Sequence, residues 1–154
     1  MSIISVKEHL KKYDKEKDII EFDISTATVL EAALALNIEP SRIAKTLSFR
    51  YSDSCILIVM AGDARVDNSK FKNCFNIKAR MLSPDEVFEF TGHQIGGVCP
   101  FGLKQDIDIY LDESLKRFET VYPACGNSNS CIELSLTDLE KITNSKKWID
   151  ITKL

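Results

Sequence analysis

The densest group of residues that could carry chemistry is a glycine-rich segment in the second half of the chain. Four of the six glycines fall within residues 92–102, and Pro100 lies among them. Glycine lets the backbone adopt positive φ and approach another molecule closely. Successive free N–H groups in such a loop can bind an anion or stabilise the oxyanion of a reacting ester. A structural turn is the alternative interpretation, and glycine density alone does not separate the two.

Lys45 is the second candidate, because its position in a predicted strand turns it inward. Residues 43–51 read as a strand, so positions 43, 45, 47 and 49 share one face. Ile43, Leu47 and Phe49 make that face apolar. A lysine among them either lines a pocket as a partly buried cation or extends its ammonium to the sheet edge.

A thiol-based site is a weaker alternative. Cys99 and His93 lie six residues apart in the glycine-rich segment, but no acid is placed to orient the histidine. Cys99 as a pocket wall is the competing interpretation. The sequence has five cysteines, two histidines and no CxxC pair, which argues against a metal site. The simplest interpretation of the five cysteines is that they are reduced thiols in a cytoplasmic protein.

Composition narrows the class of protein. The 154 residues predict one domain over residues 1–154, and 44% hydrophobic with 28% charged residues is typical of a soluble globular chain. A net charge of −3 argues against binding DNA or an anionic membrane through bulk charge. We find no apolar run long enough to cross a membrane and no signal peptide.

The elements that must position these residues alternate without regular βαβ repeats, which predicts an α+β domain around a mixed sheet. Helices are predicted over residues 5–13, 25 or 26 to 36, 68–74, 83–90 and 137–142. Strands are predicted over residues 19–22, 43–51, 55–61, 107–111, 120–122 and 131–134. Residues 91–105 form the connecting loop. Asp63 and Asp112, at strand ends, either orient a pocket or form turns.

Several short segments together resemble a known family. They are Lys45-Thr46-Leu47, Ala61-Gly62-Asp63, Thr91-Gly92-His93, Gly96-Gly97-Val98-Cys99-Pro100-Phe101-Gly102, Asp112-Glu113-Ser114-Leu115, and Gly126 before Ile132-Glu133-Leu134. In order and spacing they resemble the YbaK-like family of freestanding aminoacyl-tRNA deacylases, relatives of the editing domain inserted in bacterial prolyl-tRNA synthetase. The resemblance covers residues 20–142, and it implies a mixed, barrel-like sheet with surrounding helices.

The resemblance also implies an activity and a site. The activity is hydrolysis, in trans, of the ester of a mischarged tRNA, with tRNA(Pro) carrying cysteine, alanine or another small amino acid as the expected substrate. Lys45 and Gly97 are the expected catalytic residues. The expected substrate-binding residues are Thr46, His93, Gly96, Val98, Cys99, Pro100, Phe101, Gly102, Gly126 and Asn127.

The resemblance implies no metal and no cofactor, and it makes water or a substrate group the attacking nucleophile. The acceptor end of an aminoacyl-tRNA is the expected partner, with a carrier synthetase as a second candidate. Two departures bear on the amino acid that is edited: Cys99 stands where the family more often has Pro or Ser, and residues 126–130 hold no histidine. A non-catalytic binding module for an aminoacyl-adenosine end is the alternative function.

Overall fold

The fold, described for residues 2–154 in a computed structural model, surrounds one curled sheet with helices. The α-helices are α1 Ser2–Lys11, α2 Val29–Leu36, α3 Asn68–Phe75, α4 Pro84–Thr91 and α5 Leu136–Thr143. The strands are β1 Ile20–Glu21, β2 Ile43–Tyr51, β3 Ser54–Ala61, β4 Arg65–Val66, β5 Asp108–Asp112, β6 Thr120–Pro123, β7 Ser130–Cys131, β8 Leu134–Ser135, β9 Trp148–Ile149 and β10 Thr152–Lys153. Short 3₁₀ turns occupy Glu16–Asp18, Pro40–Arg42 and Glu113–Arg117.

The main sheet has six strands in the order β8-β6-β2-β3-β5-β9 and curls into a half-barrel. The β2–β3 and β6–β8 pairs are antiparallel, whereas β2–β6, β3–β5 and β5–β9 are parallel. The predicted α+β class and mixed, barrel-like sheet with surrounding helices are therefore confirmed. β1 and β7 form one small separate pair, and β4 and β10 form another.

The two faces of the central β2–β3 hairpin bury different clusters. Lys45 lies opposite Met60 and Thr46 lies opposite Val59, so Lys45 and Thr46 start from opposite faces. The face of Val59 packs on α1, α5 and the buried residues Cys99 and Phe101 of the glycine-rich loop. The face of Met60 packs on the aromatic residues of α3. The sheet thus has the loop on one side and α3 on the other.

The residues that cap α2 and α5 differ from the predicted ones, because more than one Ser or Thr lies near the start of each helix. α2 is capped by Thr28 rather than by Ser25 or Thr26, because Thr28 and Glu31 form a reciprocal capping box. Ser135, not Thr137, caps α5. α4 begins as predicted, with Ser83 as the cap and Glu86 bonding back to it.

The C-terminal segment completes the sheet, and the sequence patterns missed it. β9 pairs with β5, and β10 pairs with β4. The buried Asp112 carboxylate accepts hydrogen bonds from the Ile151 N–H at 2.9 Å and from the Thr152 hydroxyl at 2.7 Å. A third bond, from the Ser114 N–H at 2.9 Å, caps the following 3₁₀ turn. Asp112 therefore anchors the C-terminal segment and forms a turn.

The single strand predicted over residues 131–134 is two short strands in different pairs. β7 pairs with β1, whereas β8 pairs with β6. Across residues 2–154, no helix combines the length and apolar character needed to cross a membrane. Over the same residues, no three His, Cys, Asp or Glu side chains come together as a metal-binding group.

Candidate functional site

The glycine-rich loop follows α4 and folds back on itself at its tip. Gly92 ends the helix with a φ of 80°, a left-handed conformation that side chains disfavour. Gly96 has a φ of 96°. The Gly97 N–H donates to the Gln94 carbonyl at 3.0 Å and closes a tight turn. The Gly97 N–H is therefore already bonded within this turn, so donors for a bound oxygen must come from its neighbours.

Gly97 instead has a role in close packing. A β-carbon at this position would lie 2.7 Å from the Cα and N atoms of Asn127 and from the carbonyl carbon of Gly126. These are backbone atoms, so they cannot move away by a change of rotamer. The structure thus brings Gly97 directly against Gly126 and Asn127, the pair expected to form a facing wall.

The free donors of the loop lie beside Gly97. Among residues 2–154, the N–H groups of Gly96, Val98 and Cys99 donate no hydrogen bond to a protein acceptor. Cys99 is fully buried and Val98 is half-buried. Buried backbone donors are nearly always paired in folded proteins. Unpaired ones beside a glycine turn are consistent with a site that binds an oxyanion or a carbonyl.

The second wall of the site is shaped by its own hydrogen bonds. The Asn127 side-chain oxygen accepts from the Asn129 N–H at 3.2 Å and from the Ser130 hydroxyl at 2.6 Å. Gly126 has a φ of 98°, and a β-carbon there would lie 2.8 Å from the Ser2 carbonyl oxygen of α1. Asn127 therefore fixes the loop through its oxygen, and Gly126 lets α1 pack behind it.

The segment before α2 also reaches the glycine-rich loop, and sequence reasoning missed it. A β-carbon on Gly96 would lie 3.1 Å from the Ala27 side chain, and the Thr26 N–H donates to the Ser128 carbonyl at 2.6 Å. The Thr26 side chain is buried beside the Cys131 thiol. The sequence feature that could have indicated this contact is Ser25-Thr26-Ala27-Thr28, a run of four small residues just before a helix.

Lys45 is half-buried, and its ammonium is held by the turn after β3. It donates to the Ala64 carbonyl at 2.6 Å and to the Gly62 carbonyl at 3.2 Å. Burial lowers the pKa of the Lys45 ammonium, and the nearby Asp63 carboxylate opposes that shift. Asp63 is itself held by Arg117 through bonds of 3.0 and 2.6 Å, which lower the pKa of the Asp63 carboxyl.

The start of α2 connects Lys45 with the glycine-rich loop. A β-carbon on Gly62, whose carbonyl binds Lys45, would lie 2.8 Å from Val29. Ala27, two residues earlier, contacts Gly96. Lys45 and the glycine-rich loop, which start from opposite faces of the sheet, are thus both linked to the start of α2. Thr46 follows Lys45 with a buried hydroxyl that, within residues 2–154, has no partner.

The rest of the expected substrate loop faces the core. Phe101 is fully buried, with its ring edge-on to His9 at 5.9 Å, so it packs against α1 rather than stacking on a ligand. A β-carbon on Gly102 would lie 2.6 Å from the Ser5 backbone. Pro100 is buried as well. Phe101 and Pro100 support the loop from the core, whereas Gly102 is half-buried at its end.

His93 and Cys99 do not form a catalytic pair. The His93 Nε2 lies 2.7 Å from the Phe101 carbonyl oxygen and 3.5 Å from the Cys99 sulfur. Because a carbonyl only accepts, Nε2 carries the proton and cannot take one from the thiol. Burial raises the pKa of Cys99 to about 12, so the thiol stays neutral. His93, fully buried, is placed behind the loop and not against a substrate.

Comparisons with known proteins agree with this geometry. The sequence profile of the aminoacyl-tRNA editing domain family matches residues 24–142. The chain is 56% identical to the uncharacterised protein YwhH of Bacillus subtilis (strain 168), over 99% of this chain and 98% of that protein. It is 36% identical to a proline--tRNA ligase of Bacillus velezensis over 58% of this chain, and it spans 16% of that enzyme. A crystal structure of a candidate trans-editing enzyme for prolyl tRNA synthetase superposes with a TM-score of 0.89 and 29% identity, over 99% of this chain and 98% of that one.

Proposed function

Because this chain belongs to the aminoacyl-tRNA editing domain family, we propose that it removes the wrong amino acid from a mischarged tRNA by hydrolysing the aminoacyl ester in trans. The observation that carries the proposal is the family match itself, since residues 24–142 include every candidate site residue from Lys45 to Asn127. The expected substrate is tRNA(Pro) carrying alanine, cysteine or another small amino acid. The likeness to a proline--tRNA ligase and to a candidate trans-editing enzyme supports this substrate class.

The proposed chemistry uses backbone donors and a cation in place of a protein nucleophile. Attack on the ester puts negative charge on the former carbonyl oxygen, and preorganised N–H groups stabilise such a charge. The unpaired N–H groups of Gly96, Val98 and Cys99 are the proposed donors. Gly97 supports them by letting the loop lie against Asn127. Water or a group of the substrate attacks, because the Cys99 thiol is held neutral.

Lys45 is the proposed substrate-binding cation. Its ammonium has three donor hydrogens, and the Gly62 and Ala64 carbonyls take two of them. The third is left to bind an oxygen of the aminoacyl end. A partly buried ammonium with a lowered pKa binds such an oxygen more strongly than one in water, because the surrounding dielectric is lower.

A deacylation panel over tRNA(Pro) charged with alanine, cysteine and proline tests this function. We expect hydrolysis of at least one mischarged species and sparing of Pro-tRNA(Pro). Lys45→Ala should abolish or strongly reduce the rate while the far-UV circular dichroism spectrum is unchanged. Lys72→Ala is the matched control, because Lys72 is exposed on α3. A folded Lys45→Ala protein with full activity would contradict the role of Lys45.

The second candidate function is a binding module that holds the aminoacyl-adenosine end without turnover. The unpaired buried hydroxyl of Thr46 favours it, since a bound ligand would supply the missing partner. The same panel separates the two functions. A binding module would slow spontaneous hydrolysis of the ester, whereas a deacylase accelerates it.

A further inference from the structure

The two histidines of the sequence form hydrogen bonds with the carbonyl and the N–H of one peptide group behind the glycine-rich loop. The His93 Nε2 lies 2.7 Å from the carbonyl oxygen of Phe101. The N–H of Gly102 donates to the Nδ1 of His9 at 2.8 Å. That oxygen and that N–H belong to the same Phe101–Gly102 peptide bond. One histidine comes from the start of the loop and the other from α1, so the contact joins two distant parts of the chain.

The hydrogen-bond partners fix both nitrogens of the His9 ring and one nitrogen of the His93 ring. A carbonyl accepts only, so the His93 Nε2 carries a proton. Because the Gly102 N–H donates, the His9 Nδ1 must offer a lone pair. The second nitrogen of His9, Nε2, then donates to the Ile142 carbonyl of α5 at 2.9 Å. His9 is therefore a neutral ring that ties the end of the loop to α1 and α5.

Close packing on both sides restricts movement of the Phe101–Gly102 peptide. Phe101 is fully buried, and Gly102 lies so close to Ser5 that even a β-carbon would clash. The Ser5 hydroxyl donates to the Gly102 carbonyl at 3.1 Å. Cys99, whose amide is one of the unpaired donors, lies two residues before Phe101. The position of this peptide consequently determines where those donors point.

We propose that His9 and His93 are positioning residues that clamp the Phe101–Gly102 peptide and thereby hold the amide donors of the loop, and that protonation of His9 opens the clamp. The proposal rests on the deacylase function proposed above. A proton on the His9 Nδ1 replaces the acceptor with a donor, so the Gly102 N–H loses its partner. The Ile142 bond survives, because the Nε2 hydrogen is present in both protonation states. Acidification should therefore release the loop without detaching α1 from α5.

The surroundings of His9 decide where it titrates. Burial lowers the pKa of His9, the Ile142 carbonyl opposes that shift, and the charge of Lys12 adds to it. The ionisable groups that share the cleft beside His9 are Glu8, Lys12 and Tyr13 of α1, Asp106 of the loop, Asp108 of β5 and Lys146 after α5. The clamp is thus closed at neutral pH, and its opening midpoint lies below the ordinary histidine pKa of about 6.5.

Two substitutions of His9 separate the two bonds of the ring. Asn carries its amide oxygen where His carries Nδ1, so His9→Asn keeps the acceptor for Gly102 and cannot titrate. Gln carries its amide nitrogen where His carries Nε2, so His9→Gln keeps the bond to Ile142 and loses the acceptor. Each variant loses one hydrogen bond of the same ring, and we expect similar melting temperatures for the two.

The experiment measures single-turnover deacylation of the substrate found in the panel, from pH 5 to 8, for wild type and both variants. We expect His9→Asn to match wild type near pH 7.5 and to lose the fall in rate on the acid side. We expect His9→Gln to be slower by about tenfold or more at every pH, since small displacements of catalytic groups have effects of this size. Equal rates for the two variants, or an acid limb that persists in His9→Asn, would overturn the proposal.

A spectroscopic measurement tests the clamp without the enzymatic reaction. In ¹⁵N-labelled wild-type protein, the Gly102 amide resonance should shift with the same midpoint pH as the His9 ring nitrogens. In His9→Asn it should not shift over that range. If no aminoacyl-tRNA is hydrolysed but the two resonances titrate together, the deacylase function fails and the clamp stands. If the Gly102 amide is insensitive to His9, the clamp is wrong whatever the activity.

Discussion

At the scale of single residues, the backbone of Asn127 leaves no room for a side chain at position 97. A β-carbon there would lie 2.7 Å from three backbone atoms, whereas one on Gly92 would meet the Lys104 side chain at 3.4 Å. The two glycines lie on the same loop and differ in what surrounds them. Gly97 is constrained by packing, and Gly92 is constrained by its φ of 80°.

This contrast predicts unequal costs for two alanine substitutions. Gly97→Ala should lower the free energy of unfolding by about 2–3 kcal/mol, because overpacking forces the two loops apart. Gly92→Ala should cost about 1 kcal/mol, the strain of a left-handed residue. Urea unfolding of the two variants beside wild type measures both values. Equal costs would mean that the loops separate easily, and the site would then lack its rigid wall.

The cysteines give a second prediction at this scale. Cys74 is exposed, whereas Cys55, Cys99, Cys125 and Cys131 are buried and have raised thiol pKa values, Cys99 at about 12. Iodoacetamide at pH 7.5 should therefore modify Cys74 alone and leave deacylation unchanged. Mass spectrometry counts the adducts, and Cys74→Ser should take up none. Loss of activity in alkylated Cys74→Ser would revive the thiol mechanism.

The sequence grouped residues of the candidate site that lie together in the fold, but it did not indicate which backbone groups are free. Gly96, Gly97, Gly126 and Asn127 could be grouped from glycine spacing and family resemblance, and they do meet. Those patterns carry no information on which backbone groups are already bonded. The Gly97 N–H is bonded within a local turn, and the Phe101 carbonyl is bonded by the buried ring of His93; glycine spacing indicates neither bond.

At the scale of secondary-structure elements, the start of α2 lies against the glycine-rich loop of the candidate site. Thr28 caps α2. Its neighbour Ala27 lies next to Gly96, and its neighbour Val29 lies next to Gly62. Ser135 caps α5 with a side-chain bond to the Asp138 N–H. Both caps satisfy donors of a first helical turn and should be similar in energy.

We therefore expect Thr28→Ala and Ser135→Ala to reduce the free energy of unfolding alike, by about 1 kcal/mol each. Only Thr28→Ala should also slow deacylation, because fraying of α2 displaces Ala27 from the glycine-rich loop. Denaturant unfolding and single-turnover kinetics on the same preparations measure the two effects. Equal rates for both variants would show that the start of α2 lies outside the site.

Long, strongly patterned elements were predictable, and short ones were not. β2 was predicted with its observed bounds and β3 to within one residue, since each has eight or nine residues of clear apolar pattern. β4, β9 and β10 have two residues each and exist because of their partners. The caps Thr28 and Ser135 were misplaced because several hydroxyl residues precede each helix, and a capping bond selects one of them.

At the scale of the whole molecule, the half-buried His9 and the fully buried His93 make stability depend on pH. Burial lowers the pKa of His9 and His93, so the folded protein resists protonation that the unfolded chain accepts. The stabilisation is complete above the ordinary histidine pKa of about 6.5 and is lost as pH falls toward the lowered values. Carboxylates remain largely ionised between about pH 6.5 and 5, so the histidines dominate this window.

Melting temperature should therefore decline between about pH 6.5 and 5, and the decline should weaken in His9→Asn, which cannot titrate. A series of calorimetric scans at constant ionic strength measures the slope. A wild-type melting temperature that is level across this window would show that the unfolded chain gains no protons there, contrary to buried neutral rings.

The net charge of −3 sets an expectation for tRNA binding. Few phosphates can be neutralised, so affinity should change by only about tenfold between 50 and 200 mM salt, against 10³–10⁵ for proteins with many phosphate contacts. Binding should instead depend on the 3′ end, and removal of the terminal adenosine should weaken it. A steep salt dependence with no effect of the terminal nucleotide would contradict an end-directed site.

The anchoring of the C-terminal strands by Asp112 has a consequence for synthesis on the ribosome. β9 covers the side of β5 that β3 leaves open, and it is translated after every other strand of the six-stranded sheet. A nascent chain that ends before Trp148 presents the backbone donors and acceptors of β5 unpaired, and such an edge recruits strands from neighbouring chains. Truncation before residue 148 should therefore produce aggregates even though every residue of the candidate site is still present.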